Sequence, residues 1–349
     1  MISDIVVRYF PITVFLLLCL FSFGKRKPVS FPFSLSLVVC FIVITAIAAL
    51  PDDYSIDKPR YVAMFHSRFY WGVEDYRDMG WMLYVTFCSW LFQDNVFVFF
   101  LLTATIYCVS YLVFARQVFE SKAFYFFVMS MGCLGFMNYA TNTIRAGFAI
   151  SFLLLGIASE KKPWAFVLLL FSFMMHRSMI IPIAGYMVSL FVNNLRVCIL
   201  FWIACLVISV SNIGVDSFVD IFKDIDYRVE YYSDTSGGPY SSYKVGFRWD
   251  FLIYSVLPLL FSLYSIYKLR IEDDYFSRIV KMYMLVNAIW LLAIRIAFTD
   301  RIAYLSWFLI PLITLYPIVK YPEKYGNANA LALGIMGLFM GLNIVLMFV

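Results

Sequence analysis

In FSFMMHRSMIIP (Phe171–Pro182) an imidazole and a guanidinium, His176 and Arg177, stand side by side between two apolar runs, in a chain with two histidines. An imidazole titrates near neutral pH and can take a proton from a sugar hydroxyl. Protonated, it can help hold a phosphate. The plainer alternative is a ring hydrogen-bonded to a turn carbonyl, with Ser178 as N-cap of the next helix. The other histidine, His66, lies in a charged, aromatic segment and reads as structural.

Four more stretches carry groups of the same kind. In NYATNTIRAGFAIS (Asn138–Ser151) the residues Asn138, Asn142 and Arg145 are spaced by four and three, which predicts one shared helical face. A helix starting near Asn142 would also offer free N–H groups to an anion; an N-cap asparagine with a snorkelling arginine is the alternative. In YYSDTSGGPYSSYKVGFRWDFLIYS (Tyr231–Ser255), Gly237-Gly238-Pro239 mark a turn. Tyr243 and Trp249 there offer flat faces suited to sugar rings, and Arg248 and Asp250 stand where the next helix begins. An interfacial aromatic belt competes with that reading. IRIAFTDRIAYLSWFLIP (Ile294–Pro311) predicts Arg295 and Thr299 on one helical face and Asp300-Arg301 in a turn, either as anion ligands or as an ion pair. DMGWMLY (Asp78–Tyr84) begins a short re-entrant candidate, and the acids Glu74, Asp75 and Asp78 could bind sugar hydroxyls or act as a base, or could form a solvated acidic loop.

The elements that hold these groups are read from composition. Of 349 residues 63% are hydrophobic and 14% charged, against roughly 25% charged in soluble domains. Apolar runs near 20 residues recur, about the length of a crossing helix. The fold class is an all-α polytopic membrane protein, a single integral membrane domain over residues 1–349. About twelve crossings are expected, at 5–23, 33–50, 96–115, 122–139, 143–158, 163–176, 178–192, 197–213, 250–268, 278–297, 302–319 and 328–347. The first run precedes its basic cluster Lys25-Arg26-Lys27, so it reads as a retained helix and not as a signal peptide.

A short run, Gly80–Phe92, decides the topology. If it dips in and returns as a re-entrant or interfacial helix, the basic loops all fall on one side, as the positive-inside rule asks. Loops 24–32, 116–122, 159–163, 193–197, 268–281 and 320–327 are then internal. With adjacent helix ends they hold 14 Lys+Arg against 6 Asp+Glu, leaving 13 against 16 outside. The two long outer segments lie at about 51–79 and 214–249, and long ordered loops are usually functional. Nine of the 14 inner cations are lysine, whereas ten of the 13 outer ones are arginine. Arginine's planar fork suits two-point contact with phosphate or carboxylate, and charges at the ends of apolar helices are costly unless used. The outer face therefore reads as an anion site at membrane depth.

All seven cysteines lie in apolar segments without a CxxC pair, which indicates neither a metal site nor a disulfide framework. There is no P-loop, dinucleotide glycine pattern or HExxH motif, and no basic tract with interleaved aromatics. Nucleotide-driven pumping, zinc proteolysis and nucleic-acid binding are thereby disfavoured.

Over NTIRAGFAISFLLLGIASEKKPWAFVLLLFSFMMHRSMIIPIAGYMV (Asn142–Val188) the chain resembles the EpsG-type polysaccharide polymerases, which include many O-antigen polymerases of the Wzy type. Arg145 at a helix start, Lys161-Lys162 in a short loop, and His176 with Ser178 match the family's pattern. DMGWMLY is similar to its glycine-aromatic segment, without the common E-x-G-Y form. The resemblance implies a GT-C-like helical architecture in the bacterial inner membrane, with its site toward the periplasm. The implied substrate is an undecaprenyl-diphosphate-linked oligosaccharide, with membrane lipid around it and a polysaccharide chain-length regulator as a further candidate partner. It also implies a glycosyltransferase with no metal and no cofactor. On that footing His176, Arg145 and Arg248 are the expected catalytic residues. Arg301, Arg295, Arg177, Asn142, Asp250, Tyr243, Trp249 and Asp78 are the expected substrate-binding ones. A flippase or exporter of the same lipid-linked sugar, an O-antigen ligase and a non-enzymatic scaffold are the rival readings.

Overall fold

A computed structural model describes residues 10–17, 19, 31–52, 57–67, 78–211 and 246–346, and all regular structure among them is helical. A short stretch at 10–17 precedes α1 (Phe31–Ala48), α2 (Asp57–His66), α3 (Met79–Phe92), α4 (Val96–Phe119), α5 (Ala123–Gly132), α6 (Phe136–Thr141), α7 (Ile144–Ala158) and α8 (Lys162–Met175). There follow α9 (Ile180–Phe191), α10 (Leu195–Ser211), α11 (Trp249–Tyr267), α12 (Asp274–Leu292), α13 (Thr299–Trp307), α14 (Ile310–Lys320) and α15 (Ala328–Leu346). The helices gather into two compact units, Met1–Met179 with Asn327–Val349, and Ile180–Gly326.

The all-helical membrane class holds, but the count of twelve crossings does not. Among the described residues four stretches are long and apolar enough to span a bilayer: Val96–Gly132, Trp249–Tyr267, Thr299–Lys320 and Ala328–Leu346. Six other apolar helices are shorter. The expected span 122–139 breaks between α5 and α6, where Gly135 takes a φ of 94°. The expected span 302–319 is retained as the stretch Thr299–Lys320, formed by α13 and α14 together with a proline in the first turn of α14. Interrupted helices at membrane depth are tolerated where protein satisfies the freed backbone. Apolar run length alone cannot tell such pieces from full spans.

The first unit is built around α4, with α1, α5 and α7 against it and α8 paired with α7. Phe41, Phe127 and Phe136 stack together, and the Tyr107 hydroxyl donates to the Phe136 carbonyl at 3.1 Å. Helix α3 is 14 residues long, about 21 Å, which is shorter than the roughly 30 Å hydrocarbon core. Its Trp81 and Tyr84 rings pack on Phe99, in the first turn of α4, and on Phe148, early in α7. Its last residue is followed after three residues by α4. Both ends of α3 thus lie at the same end of this unit, as a re-entrant or interfacial helix requires.

In the second unit the span formed by α13 and α14 is enclosed by protein along most of its length, as a helix apolar all round should be. A polar network crosses this core. The fully buried Asn287 accepts from the Trp202 indole N–H at 2.9 Å and donates to Ser255 Oγ (3.3 Å) and Ser306 Oγ (3.1 Å). Ser255 also accepts from the Trp307 indole at 2.6 Å, and its carbonyl takes the Tyr283 hydroxyl at 2.8 Å. Four helices are stitched by groups that would otherwise be orphaned in an apolar interior.

Contacts within each unit sort by the side that the loop charges assign. In the first, Lys122, in a loop read as internal, donates at 3.1 Å to Asn329 in the first turn of α15, just after another such loop. In the second, Asp273 receives the hydroxyls of Tyr316 (3.0 Å) and Tyr321 (2.7 Å), Ser265 meets Tyr325 at 2.8 Å, and Lys281 reaches the Val192 carbonyl at 2.6 Å. The segments read as external meet one another at the opposite helix ends: in the second unit Arg295 donates to the Ser209 and Val210 carbonyls at 3.0 and 3.2 Å.

The Asn287 network yields a stability prediction. Asn287→Ala leaves the Trp202 N–H buried without its acceptor, a loss on the order of 1–3 kcal/mol. Thermal unfolding in detergent should show a lower midpoint for this variant, whereas exposed Cys40→Ala should leave it in place.

Candidate functional site

Three segments of the first unit converge on one carboxylate. Asp78 immediately precedes α3 and is 7% exposed. Its Oδ2 lies 2.7 Å from Arg145 Nη1, in the first turn of α7, and 3.5 Å from His176 Nδ1, just past the end of α8. Its Oδ1 accepts the backbone N–H of Arg177 at 2.7 Å. His176 is itself buried, at 8% exposed.

The sequence brings these groups together through close helix approaches. Gly80 permits the first: a Cβ there would stand 2.9 Å from the Met174 carbonyl carbon and oxygen in α8. Gly147 permits the second, since its Cβ would meet the Tyr139 carbonyl oxygen at 2.5 Å, in α6. Ser172 Oγ donates to the Ala149 carbonyl at 2.8 Å, tying α8 to α7. Ser172 lies four residues before His176 and Ala149 four after Arg145, so this bond fixes the register that places the two functional side chains at one end of the hairpin. The His176 N–H continues α8 to the Ser172 carbonyl, and the His176 carbonyl takes the Met179 N–H. The main chain around the ring is therefore satisfied.

Electrostatically the site carries surplus positive charge. One carboxylate faces two guanidinium-bearing residues and an imidazole, so the cluster is net positive even with a neutral ring. Among the described residues the Arg177 guanidinium, half-buried, has no hydrogen-bond or ion-pair partner. Burial alone would raise the Asp78 carboxyl, but the Arg145 guanidinium, the His176 ring and the Arg177 N–H more than reverse this. They hold it well below the usual carboxylate range, so Asp78 is an anion at any physiological pH.

Asn142 does not share a helix face with Arg145 as its spacing predicts. The chain breaks there: Asn142 and Thr143 both donate to the Asn138 carbonyl at 2.8 Å, closing α6, and α7 begins only at Ile144. The break turns the chain so that Arg145 enters on a fresh first turn. Arg295 and Thr299 do not share a face either, because α12 ends at Leu292 and α13 starts at Thr299. Thr299 Oγ1 instead accepts from the Trp290 indole at 2.9 Å and donates to the Ala293 carbonyl at 2.8 Å.

The second unit holds the remaining expected residues. Arg248 makes a two-point ion pair with Asp250, Nε to Oδ1 at 2.9 Å and Nη2 to Oδ2, and its guanidinium lies 3.7 Å from the Phe251 ring centroid. Trp249 is 58% exposed and tilts against Phe247, centroids 4.4 Å apart. Arg295 caps the carbonyl end of α10. Arg301 lies over the Phe298 ring at 4.9 Å, beside a residue with a positive φ of 55°. Tyr243, Glu74 and Asp75 fall outside the described residues. His66 is exposed, 3.9 Å from an Asp94 oxygen. Among the described residues no three His, Cys, Asp or Glu side chains gather as a metal set.

Ser172, Gly80 and Gly147 carry no chemistry and were not among the expected residues. Their signal in the sequence is only that small residues mark close helix contacts in membranes.

The model of the EpsG family matches residues 34–349, nearly the whole chain. The chain therefore belongs to the EpsG family, which comprises Wzy-type polymerase-like membrane proteins. No curated protein and no solved structure matches it.

The depressed Asp78 carboxyl sets a pH expectation. A lowered folded-state value adds stability above the unfolded carboxylate value near 3.9, which is lost as pH falls below it. Arg145→Gln removes the largest lowering partner, so this variant should lose stability at neutral pH and lose less of it on acidification. Unfolding midpoints of both proteins at pH 7 and pH 3.5 check this. A second expectation concerns the close approach: Gly80→Ala should lower the midpoint, while Gly334→Ala, with open space around it, should not.

Proposed function

We propose, from membership of the EpsG family, that the chain is the polymerase that joins undecaprenyl-diphosphate-linked oligosaccharide repeats into O-antigen or a related surface polysaccharide. Its family places it among polymerase-like membrane proteins of polysaccharide biosynthesis with glycosyltransferase-like activity. The observation that supports the finer reading is the buried, net-positive cluster of Asp78, Arg145, His176 and Arg177 at one helix end of an apolar unit.

In the proposed reaction a hydroxyl at the non-reducing end of one lipid-linked repeat attacks the anomeric carbon of the growing chain. A new C–O bond forms there as the bond from that carbon to the lipid diphosphate breaks. The hydroxyl proton passes to His176, and the leaving diphosphate takes the electron pair. Charge grows on the diphosphate in the transition state, and preorganised guanidinium groups in a water-poor site stabilise such charge. Arg145 and Arg177 are suited to this by their place in the positive cluster. In the second unit Arg248, with Asp250 orienting its fork, Arg301 and Arg295 are proposed as substrate contacts of their own, and Trp249 and Tyr243 as partners for sugar rings. The lipid diphosphate is already an activated leaving group, so no nucleotide is required. The site is assigned to the periplasmic face of the bacterial inner membrane by the excess of lysine in the opposite loops.

Arg145→Ala, His176→Ala and Arg248→Ala, each expressed in a strain lacking the protein, test this reading through the surface-polysaccharide ladder. Normal membrane abundance with core plus a single repeat is expected: the repeat is flipped and ligated but not polymerised. Core with no repeat at all would point to a flippase or ligase. An intact ladder in all three would overturn the site assignment.

A further inference from the structure

We infer that Asp78 is a positioning residue for His176, and that Arg145 restrains it by occupying the same carboxylate oxygen; the inference rests on the reading of His176 as the base. The geometry is specific. Asp78 Oδ1 is fixed by the Arg177 N–H, which orients the carboxylate through the residue next to the histidine. Oδ2 is then aimed at His176 Nδ1, at 3.5 Å, the outer limit of a hydrogen bond. A carboxylate opposite one ring nitrogen holds the proton there and leaves the lone pair on the other, Nε2. The ring is thereby prepared to accept a proton from a hydroxyl.

Arg145 explains why the pair is long. Its Nη1 sits 2.7 Å from the same Oδ2, and that closer ion pair draws off the acceptor strength His176 would use. An anionic substrate group offers the guanidinium a competing partner with matching two-point geometry. When Arg145 turns to that anion, Oδ2 is released to His176, the contact shortens, and the ring becomes a stronger base. The arrangement thus couples arrival of the diphosphate to preparation of the base. The titratable and charged groups facing His176 include Asp78 from the start of α3, Arg145 from α7, and Arg177 beside it in the chain.

The chain's two histidines make the test direct. Full-length protein carrying His66→Gln, with a histidine-free tag and ¹⁵N-histidine, is placed in lipid nanodiscs, so that His176 is the sole imidazole observed. Its tautomer and titration midpoint are read by NMR in this background and with Asp78→Asn, Asp78→Glu or Arg145→Gln added. In the background protein the neutral ring should carry its proton on Nδ1. Asp78→Asn should shift the tautomer toward Nε2–H and lower the midpoint by about one unit or more. Arg145→Gln should move the midpoint the other way, and Asp78→Glu should restore part of the Nδ1–H population. Charge proximity alone moves the midpoint in these opposed directions, so the diagnostic reading is the tautomer, lost from Nδ1–H in Asp78→Asn and partly regained in Asp78→Glu. An unchanged tautomer in Asp78→Asn, or an unmoved midpoint in Arg145→Gln, overturns the inference, whatever the activity.

Turnover of a lipid-diphosphate-linked repeat, measured alongside, separates this inference from the reading beneath it. Asp78→Asn should lower kcat on the order of 100-fold or more with KM little changed. Normal kcat in Asp78→Asn with none in His176→Ala overturns the positioning role and leaves the polymerase reading intact. Failure of the unmutated protein to polymerise removes that reading and with it the role of His176 as base. The tautomer data would then rule on the Asp78–His176 pairing alone, a shift toward Nε2–H in Asp78→Asn supporting it and an unchanged tautomer overturning it.

Discussion

A carboxylate inside an apolar helical protein must be paired or it will not stay ionised. At Asp78 that constraint is met by a guanidinium from α7, a backbone N–H from the turn after α8, and an imidazole between them. Meeting it requires three helices to approach closely at one end, and the first unit is arranged to allow this. Gly80 lets α3 reach the backbone of α8, Gly147 lets α7 reach the end of α6, and Ser172 locks the α7–α8 register. Chemistry and packing are consequently linked here. The ion pair that anchors α3 is formed by the same groups that an anionic substrate would engage.

The second unit solves a comparable problem with neutral groups. Asn287, Ser255, Ser306, Trp202 and Trp307, all buried, satisfy one another in this core. Among its described charged residues, Arg248 and Asp250 pair at the start of α11 and Asp273 caps the start of α12, while Lys281, two turns into α12, reaches the Val192 carbonyl. Buried neutral networks fix which helix faces meet, whereas charges at helix ends mark which end meets water or ligand. This division of labour within the chain is what a membrane protein of polysaccharide assembly needs if it must hold an oily interior around an anionic substrate.

Much of this was legible in the sequence because charge is scarce in it. With 14% charged residues, every arginine at the end of an apolar run stood out, and Arg145, His176 and Arg177 do meet. The short run Gly80–Phe92 was legible as a separate short helix, and α3 covers it. Less legible were the breaks. The Asn138–Asn142–Arg145 spacing suggested one helix face, but a second N–H bonding to the Asn138 carbonyl ends that helix before Arg145. Arg295 and Thr299 were separated in the same way by a turn. Apolar composition also overcounted crossings, because a hydrophobic run reads alike whether it forms a full-length span or a shorter apolar helix. Asp78 was visible as a candidate ligand in an acidic segment. Its place at the centre of the cluster depends on helix approaches allowed by glycines that carry no chemical signal of their own.

The central claim is that this chain, with its own side chains and a lipid diphosphate as the sole energy source, elongates a glycan. The most direct measurement is to supply the purified protein in a lipid bilayer with a single purified undecaprenyl-diphosphate-linked repeat and to follow product length by gel or mass spectrometry, with no nucleotide present. The account predicts a ladder of products spaced by one repeat, with one lipid diphosphate released for each bond formed. A repeat that stays single, or is moved across the bilayer without being extended, would contradict it.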